Sequence, residues 1–556
     1  MKMLTRSVLL AAALLPLCQA SGQPAIGEAL RTGDLQLPRP PKAQPAAPAL
    51  TSPQITPKAA SADRISVRKI NIRGNRSVDA SEFQPLVTRL EGKELTIGEL
   101  EDACARITET YRKRGYFLAR AYLPAQDVTD GVLSIEIAEA WLEFVRIDNQ
   151  SLASNGAIRR KFSAIEVGDV ITTDKVEEAI AAVSELAGIV ISEVSVSPGL
   201  NQGATIINLT TGATAAFTGA AYVDNYGVLY TGQHRFGCNL SYASPFQAGD
   251  LLTFAGITTE QSGLTSYLFR YDRPIARRWD AAINLSRTNY ALGDAYAALG
   301  AQGFADTVEA ELTRTLKQGR GFKHHVSASL GHRRLEDEIT TTQLTTSRQD
   351  TFASLAYHYR KDHEHTLQGA QTRAFVRLTA GDIRFEDAAS GSIDAAGART
   401  QGSYQKIDAM ASHELVLNED FSLHLSSRAQ LSLDGKNLDG SQKIGLSGFD
   451  GVRAYSPSEM LGDNGYLLRT ELRAHSWARN EFSVLPFLFL DNARASGGNS
   501  SSPVIGRSIS AMGLGMTCGE GAWRLNLEFA HRLDNSTPVS EPTSDSRILA
   551  RLAVFF

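Results

Sequence analysis

No stretch of this sequence reaches the eighteen or so consecutive apolar residues that a membrane-crossing helix requires. Cysteine is scarce, with four among 556 residues. One of these, Cys18, lies near the N-terminus. The others, Cys104, Cys238 and Cys518, are far apart and odd in number, so they form no disulfide framework and read as buried or lipid-facing free thiols. A dominant charge is also missing: the formal net charge is −4 and no block of Lys or Arg occurs, which argues against a nucleic-acid partner. Catalytic signatures are absent too. There is no G-x-x-x-x-G-K-[ST], no H-E-x-x-H and no G-x-S-x-G, so no catalytic residue, cofactor or enzymatic activity is expected. His363 and His365 fall at an apparent turn between strands, and His324 and His325 occupy adjacent strand positions that face opposite ways. Neither pair reads as a metal site. Gly513-Leu514-Gly515 lies within a strand pattern, where glycine relieves crowding rather than cradling phosphate.

Against these absences stands an N-terminal export signal. Lys2 and Arg6 precede an apolar run from Val8 to Leu17, followed by Cys18-Gln19-Ala20, so residues 1–20 read as a secretory signal peptide. Residues 21–62 hold a short possible helix and a Pro-rich linker, "LPRPPKAQPAAPALTSPQITPK". An exported chain without a spanning helix is periplasmic, secreted, or an outer-membrane β-barrel.

Two copies of one small α/β unit follow, at 63–140 and 141–211. The first opens with a strand, "ISVRKINIRGN". Thr96 then starts a helix with Glu99 three residues on, in a capping-box arrangement. Leu100, Cys104, Ile107 and Tyr111 recur at helical spacing, and Gly115 ends the helix. "YFLARAYLP" and "GVLSIEIAE" are the next two strands. The second unit repeats this order, from "LEFVRIDN" through a helix opened by Thr173 and ended by Gly188 to "IVISEVSVSPG" and "ATIINLTTG". The segments 116–123 and 189–197 are candidate edge strands.

Over 212–556 the helical period gives way to segments of roughly ten residues that alternate apolar with small or polar side chains, as lipid outside and water inside a barrel demand. Turn signals divide the region into about sixteen antiparallel strands, more than a soluble sandwich carries. In the last segment, "RILARLAVFF", Ile548, Ala550, Leu552, Val554 and Phe556 share one face. A sheet cannot leave an edge in lipid, so this strand is expected to close on the first. Its ending at Leu552, Val554 and Phe556 resembles the signal by which outer-membrane barrels are recognised for insertion. The fold class is therefore an all-β transmembrane barrel preceded by two small α/β domains.

One loop, at about 434–464, is too long for a hairpin. Its centre, "GFDGVRAYSPSE", carries Phe449, Val452 and Tyr455, which favour burial, and the space available is the barrel interior. Arg453 would enter the lumen with it and need an anionic partner. In "PFLFLDN", Phe487, Phe489 and Asp491 alternate onto one face, so Asp491 can accept a bidentate arginine. An exposed loop with a surface arginine is the alternative.

These features together resemble the TpsB transporters of two-partner secretion, the exporters of haemolysins and filamentous haemagglutinins. The likeness runs over 63–556 and rests on two POTRA-like repeats, the barrel, "VRAYSPSEMLGDNGYLLRTEL", "FLFLDNARAS" and the hairpin "DNYGVLYTGQHR". The pattern departs at Ala454, where the wider superfamily often has glycine, and at Ala493, which replaces a glycine after the aspartate. The resemblance implies a loop-to-barrel lock between Arg453 and Asp491, with Gly451, Val452, Tyr455, Phe487 and Phe489 as its loop and wall motif. It implies residence in the bacterial outer membrane with the small domains in the periplasm. Expected partners are a large secreted β-helical exoprotein, periplasmic chaperones, the barrel assembly machinery and lipid. The implied function is translocation of an unfolded exoprotein without nucleotide hydrolysis. An insertase for other barrels and a passive porin are the alternatives; a porin would not need the periplasmic repeats.

Overall fold

The computed structural model describes residues 64–556, apart from 129, 202, 364–369, 458, 480, 500–503, 505, 535–537, 539 and 541–544. The signal peptide and the Pro-rich stretch, expected over 1–62, lie outside the described residues, as does His365.

The first small domain differs from the sequence-based expectation at its opening strand. In place of one strand there are two, Arg64–Val67 and Lys69–Arg73, which belong to different sheets. The break falls at Arg68 because the Gly131 carbonyl accepts from both the Arg68 and Lys69 amides, at 2.7 and 3.1 Å. Consecutive amides of a straight strand point opposite ways, so a shared acceptor forces a kink. Arg64–Val67 pairs with Lys93–Thr96, while Lys69–Arg73 runs parallel to Val132–Ala138. The helix Ile97–Lys113 begins at the expected capping box, with Thr96 and Glu99 each bonding the other's backbone amide. Its apolar face buries Leu100, Cys104, Ile107 and Tyr111. "YFLARAYLP" contributes only a three-residue strand, Arg120–Tyr122. Each domain also has a helix that the sequence pattern did not mark, Gln84–Thr88 and Asn155–Phe162. At five and eight residues they carry too few turns for a legible apolar stripe.

The second domain has the sheet order Trp141–Gln150, Ala204–Gly212, Val190–Pro198, covered by Thr173–Ser184. It is seated on the barrel. Lys161 reaches Asp280 at 2.6 Å, Arg278 reaches Glu178 at 2.7 Å, and Lys323 pairs with Glu185. Backbone bonds join Ser154 to Gln247 and Ala187 to Gly249. All these barrel residues lie on or beside the tight turns, so the small domains and the short turns share one rim, the periplasmic one.

The barrel is closed and antiparallel, with sixteen strands among the described residues when Trp477–Arg479 is counted as the continuation of Asn464–Ala474. Strand length is uneven: Phe217–Asp224 has 8 residues, while Ala301–Gly319 and Leu344–Asp362 each have 19. Alternation sorts the faces. Leu330, Leu355, Ile548 and Leu552 are exposed on the outer surface, whereas Arg270, Asp272 and Glu311 pair in the interior. The last strand, Ser546–Phe555, closes on Phe217–Asp224. Phe556 extends that closure through reciprocal backbone bonds with Gly219, at 2.9 and 3.1 Å.

Candidate functional site in the barrel lumen

The segment between Phe421–Ser432 and Asn464–Ala474 folds into the barrel interior rather than over its rim. Its path is set by its own short structure. Asp439 caps the turn Gly440–Gln442, and Ile444–Gly445 pairs with Leu461–Gly462 to form the base of a narrow hairpin. At the tip, Gly448 has φ of +86°, which a residue with a Cβ rarely adopts. This turn lets the Val452 amide bond the Leu446 carbonyl at 2.9 Å. Gly451 is pressed so close to Leu446 and Ser447 that an added Cβ would lie 2.3 Å from their backbone.

The wall holds the hairpin along both sides. Arg348 bonds Asp439 at 2.8 Å, Gln442 bonds Asp350 at 2.6 Å, and Arg428 donates to the Asp450 carbonyl at 2.6 Å. Val452, Ala454, Tyr455 and Leu446 bury themselves against Phe487, Phe489, Ala493, Ile509 and Ala530. Ala454 and Ala493, the two departures from the family pattern, are 1 % and 0 % exposed, so methyl groups fit where glycine was the alternative. The Tyr455 hydroxyl donates to Asp534 at 2.7 Å.

Arg453 lies at the centre and is fully buried. Its Nε and Nη2 donate to the two oxygens of Asp491, each at 2.8 Å, and its amide donates to Asp491 at 3.2 Å. Nη1 donates to Glu471 at 3.0 Å and to Glu528 at 3.2 Å. The guanidinium carbon stands 3.5 Å from the centre of the Phe489 ring. Every guanidinium nitrogen thus donates to a carboxylate and one flat face meets a π system, which suits a planar guanidinium and would not suit lysine. Arg469 and Arg473 balance the surplus negative charge, 3.5 Å from Asp491 and 2.7 Å from Glu471 respectively. The rings need room, and Gly513 and Gly515 on the next strand supply it. A Cβ there would lie 2.4 Å from Phe489 and 2.3 Å from Phe487.

The structure therefore brings together Arg453, Asp491, Gly451, Val452, Tyr455, Phe487 and Phe489. It adds Glu471 and Glu528, which sequence reasoning missed. Their signal was present: Arg469, Glu471 and Arg473 alternate with Leu468 and Leu472, and Glu528 alternates with Leu527 and Phe529, so both carboxylates stand on the watery face of their strands. Leu552, Val554 and Phe556 are elsewhere, exposed on the outer surface at the seam. His325 stacks on His358 across neighbouring strands, with ring centroids 4.5 Å apart, while His324 meets Tyr357 and Tyr359. Among the described residues no three His, Cys, Asp or Glu side chains converge as a metal site would require.

A sixteen-strand barrel with an inward-folded loop and two α/β domains at its periplasmic rim defines an outer-membrane transporter of the POTRA-and-barrel class. The family described as haemolysin secretion/activation protein ShlB/FhaC/HecB matches residues 203–517, and that described as POTRA domain, ShlB-type, matches residues 65–140. The chain belongs to the haemolysin secretion/activation family, to which the TpsB resemblance pointed. Similar curated proteins include the heme/hemopexin transporter protein HuxB of Haemophilus influenzae, 23% identical over 475 residues, covering 84% of this chain and 82% of the relative. The outer membrane transporter CdiB of Escherichia coli is 24% identical over 427 residues, covering 74% and 69%. Among solved structures, CdiB from Escherichia coli matches with a TM-score of 0.72 at 19% identity over 96% of this chain and 99% of the other, and shows the same fold.

Proposed function

We propose that this chain exports an unfolded exoprotein from the periplasm to the cell surface, with the lumenal loop as its gate. The observation that carries the reading is the burial of Arg453 among Asp491, Glu471 and Glu528. A passive pore has no need of a loop held across its lumen by so specific a set of contacts. The contacts are ionic and directional, so the loop can leave as a unit and return to one position.

Recognition would occur on the periplasmic domains by strand addition. Arg120–Tyr122 and Val190–Pro198 are edge strands of their sheets, as are Lys69–Arg73 and Trp141–Gln150. The Lys69–Arg73 edge is the better candidate in the first domain. It is longer than Arg120–Tyr122 and flanks a recess of about 510 Å³ lined by Ile70, Ile72, Gln84 and Val87. Folding of the cargo outside would favour forward movement. Leu552, Val554 and Phe556 would serve earlier, presenting the last strand to the barrel assembly machinery.

The test is Arg453→Ala in cells that co-express a cognate exoprotein. Cargo is expected to stay in the periplasm while the barrel inserts and migrates as a folded, heat-modifiable band. Normal secretion by this variant would overturn the gate.

A further inference from the structure

The loop has a second attachment, separate from the Arg453–Asp491 pair, and it falls where the barrel closes on itself. The backbone ladder there is short. Ser546–Phe555 has five register pairs with Phe217–Asp224, from Arg551 opposite Asp224 to Phe555 opposite Ala220, against nine with its other neighbour, Trp523–Arg532. Beyond Arg551 the seam is joined mainly by side chains. Asn225 donates to the Ile548 carbonyl and accepts from the Ala550 amide, each at 2.9 Å. Arg547 bridges the Gly227 carbonyl at 3.1 Å and the Tyr455 carbonyl of the loop at 2.9 Å.

At the join, one carboxylate holds two arginines. Asp224 is buried and accepts from Arg235 at 2.8 and 3.1 Å and from Arg551 at 3.0 and 2.8 Å. One positive charge is in excess at this point. The aromatic faces around Arg551 are Tyr226 at 4.6 Å, Phe449 at 4.9 Å and Tyr222 at 4.9 Å. Phe449 belongs to the loop and lies stacked on Tyr226, centroids 4.0 Å apart and planes 12° apart. The loop thus contributes a π face to a seam that is over-supplied with cation.

We propose that Phe449 is a positioning group that clamps the seam, so that withdrawal of the loop from the lumen loosens the junction between the first and last strands. The clamp deepens the gating reading, resting on it in taking the loop as movable, yet its test needs no cargo. Amide hydrogen exchange is measured on the purified full-length protein in detergent, for wild type, Phe449→Ala, Phe449→Trp and Arg453→Ala. Losing a stacked ring beside a cation corresponds to about tenfold faster exchange in 220–227 and 546–553 for Phe449→Ala. Strand Gly402–Val416, remote from the seam, should be unchanged. Phe449→Trp should restore protection, and Arg453→Ala should open the same two segments from a distance. Wild-type exchange at the seam in Phe449→Ala overturns the clamp. So does a rise that Trp fails to reverse. Should Phe449→Ala not yield a folded barrel, Tyr226→Leu removes the same stack from the other side and is read in the same way. Because secretion is not measured, an Arg453→Ala variant that secretes normally would defeat the gate and leave this result to stand or fall alone.

Discussion

Replacing Asp491 by alanine would remove both Nε and Nη2 contacts to Arg453 and the bond to its backbone amide, while Glu471 and Glu528 continue to hold Nη1. Arg469 loses its 3.5 Å neighbour in the same step, so Arg453, Arg469 and Arg473 are left around Glu471 and Glu528. Breaking a buried pair by deleting one partner costs about 3–5 kcal/mol, and the surviving acceptors lower that to about 3 kcal/mol here. At 1.4 kcal/mol per factor of ten, the loop-out population should rise roughly 150-fold. Glu528→Gln retains an acceptor at its position and should cost about 1 kcal/mol, roughly a fivefold rise. Single-channel recording in planar bilayers reads these populations as the fraction of time spent in the larger conductance state. The expected order is Arg453→Ala, then Asp491→Ala, then Glu528→Gln, because the first leaves three carboxylates without their central cation. Equal effects of Asp491→Ala and Glu528→Gln would refute the argument, as would an Asp491→Ala trace indistinguishable from wild type.

Gly513→Ala would set a methyl 2.4 Å from the Phe489 ring and 2.0 Å from the Phe529 carbonyl oxygen, so a cost of about 1–3 kcal/mol and a lower melting temperature are expected. The Cys104 thiol, in the periplasmic domain, is pushed up to about 12 by burial. With its thiolate scarce at all lower pH, it should resist iodoacetamide at pH 8 until the protein is denatured, as mass spectrometry of the modified peptide would show. Lys161→Ala combined with Glu178→Ala removes two of the ion pairs that seat the second domain on the barrel, and protease cleavage near 212–216 should accelerate several-fold.

Much of this architecture was legible because it depends on local rules. The Thr96–Glu99 box, the left-handed Gly115 that follows the first long helix and the two-residue period of "RILARLAVFF" each state their geometry within a few positions, whereas the second long helix stops at Ser184, capped by Glu185, short of the expected Gly188. The Arg453–Asp491 proximity was approachable for a similar reason: alternation puts Asp491 on the same face as Phe487 and Phe489, and loop length puts Arg453 within reach. What stayed hidden depends on register and on contacts across the barrel. Alternation says that Glu471 and Glu528 face inward, but not that the pairing places them level with Arg453. The Phe449–Tyr226 stack joins residues more than two hundred positions apart, and nothing in either segment names the other. The kink at Arg68 was invisible because it comes from the distant Gly131 carbonyl.

The unequal strands have a consequence for the lipid around them. At a tilt near 40°, 19 residues rise ~50 Å and 8 residues ~20 Å along the bilayer normal, against a hydrocarbon layer of about 25–30 Å. The wall built around Ala301–Gly319 and Leu344–Asp362 stands clear of the membrane as a polar parapet, where exposed Gln302 donates to Glu338 of the intervening strand Phe322–Ile339 at 2.9 Å. The first strand, opposite it, falls short of the layer. Lipid beside the seam must compress to meet it, so the barrel presents the bilayer with one thinned flank and one tall one.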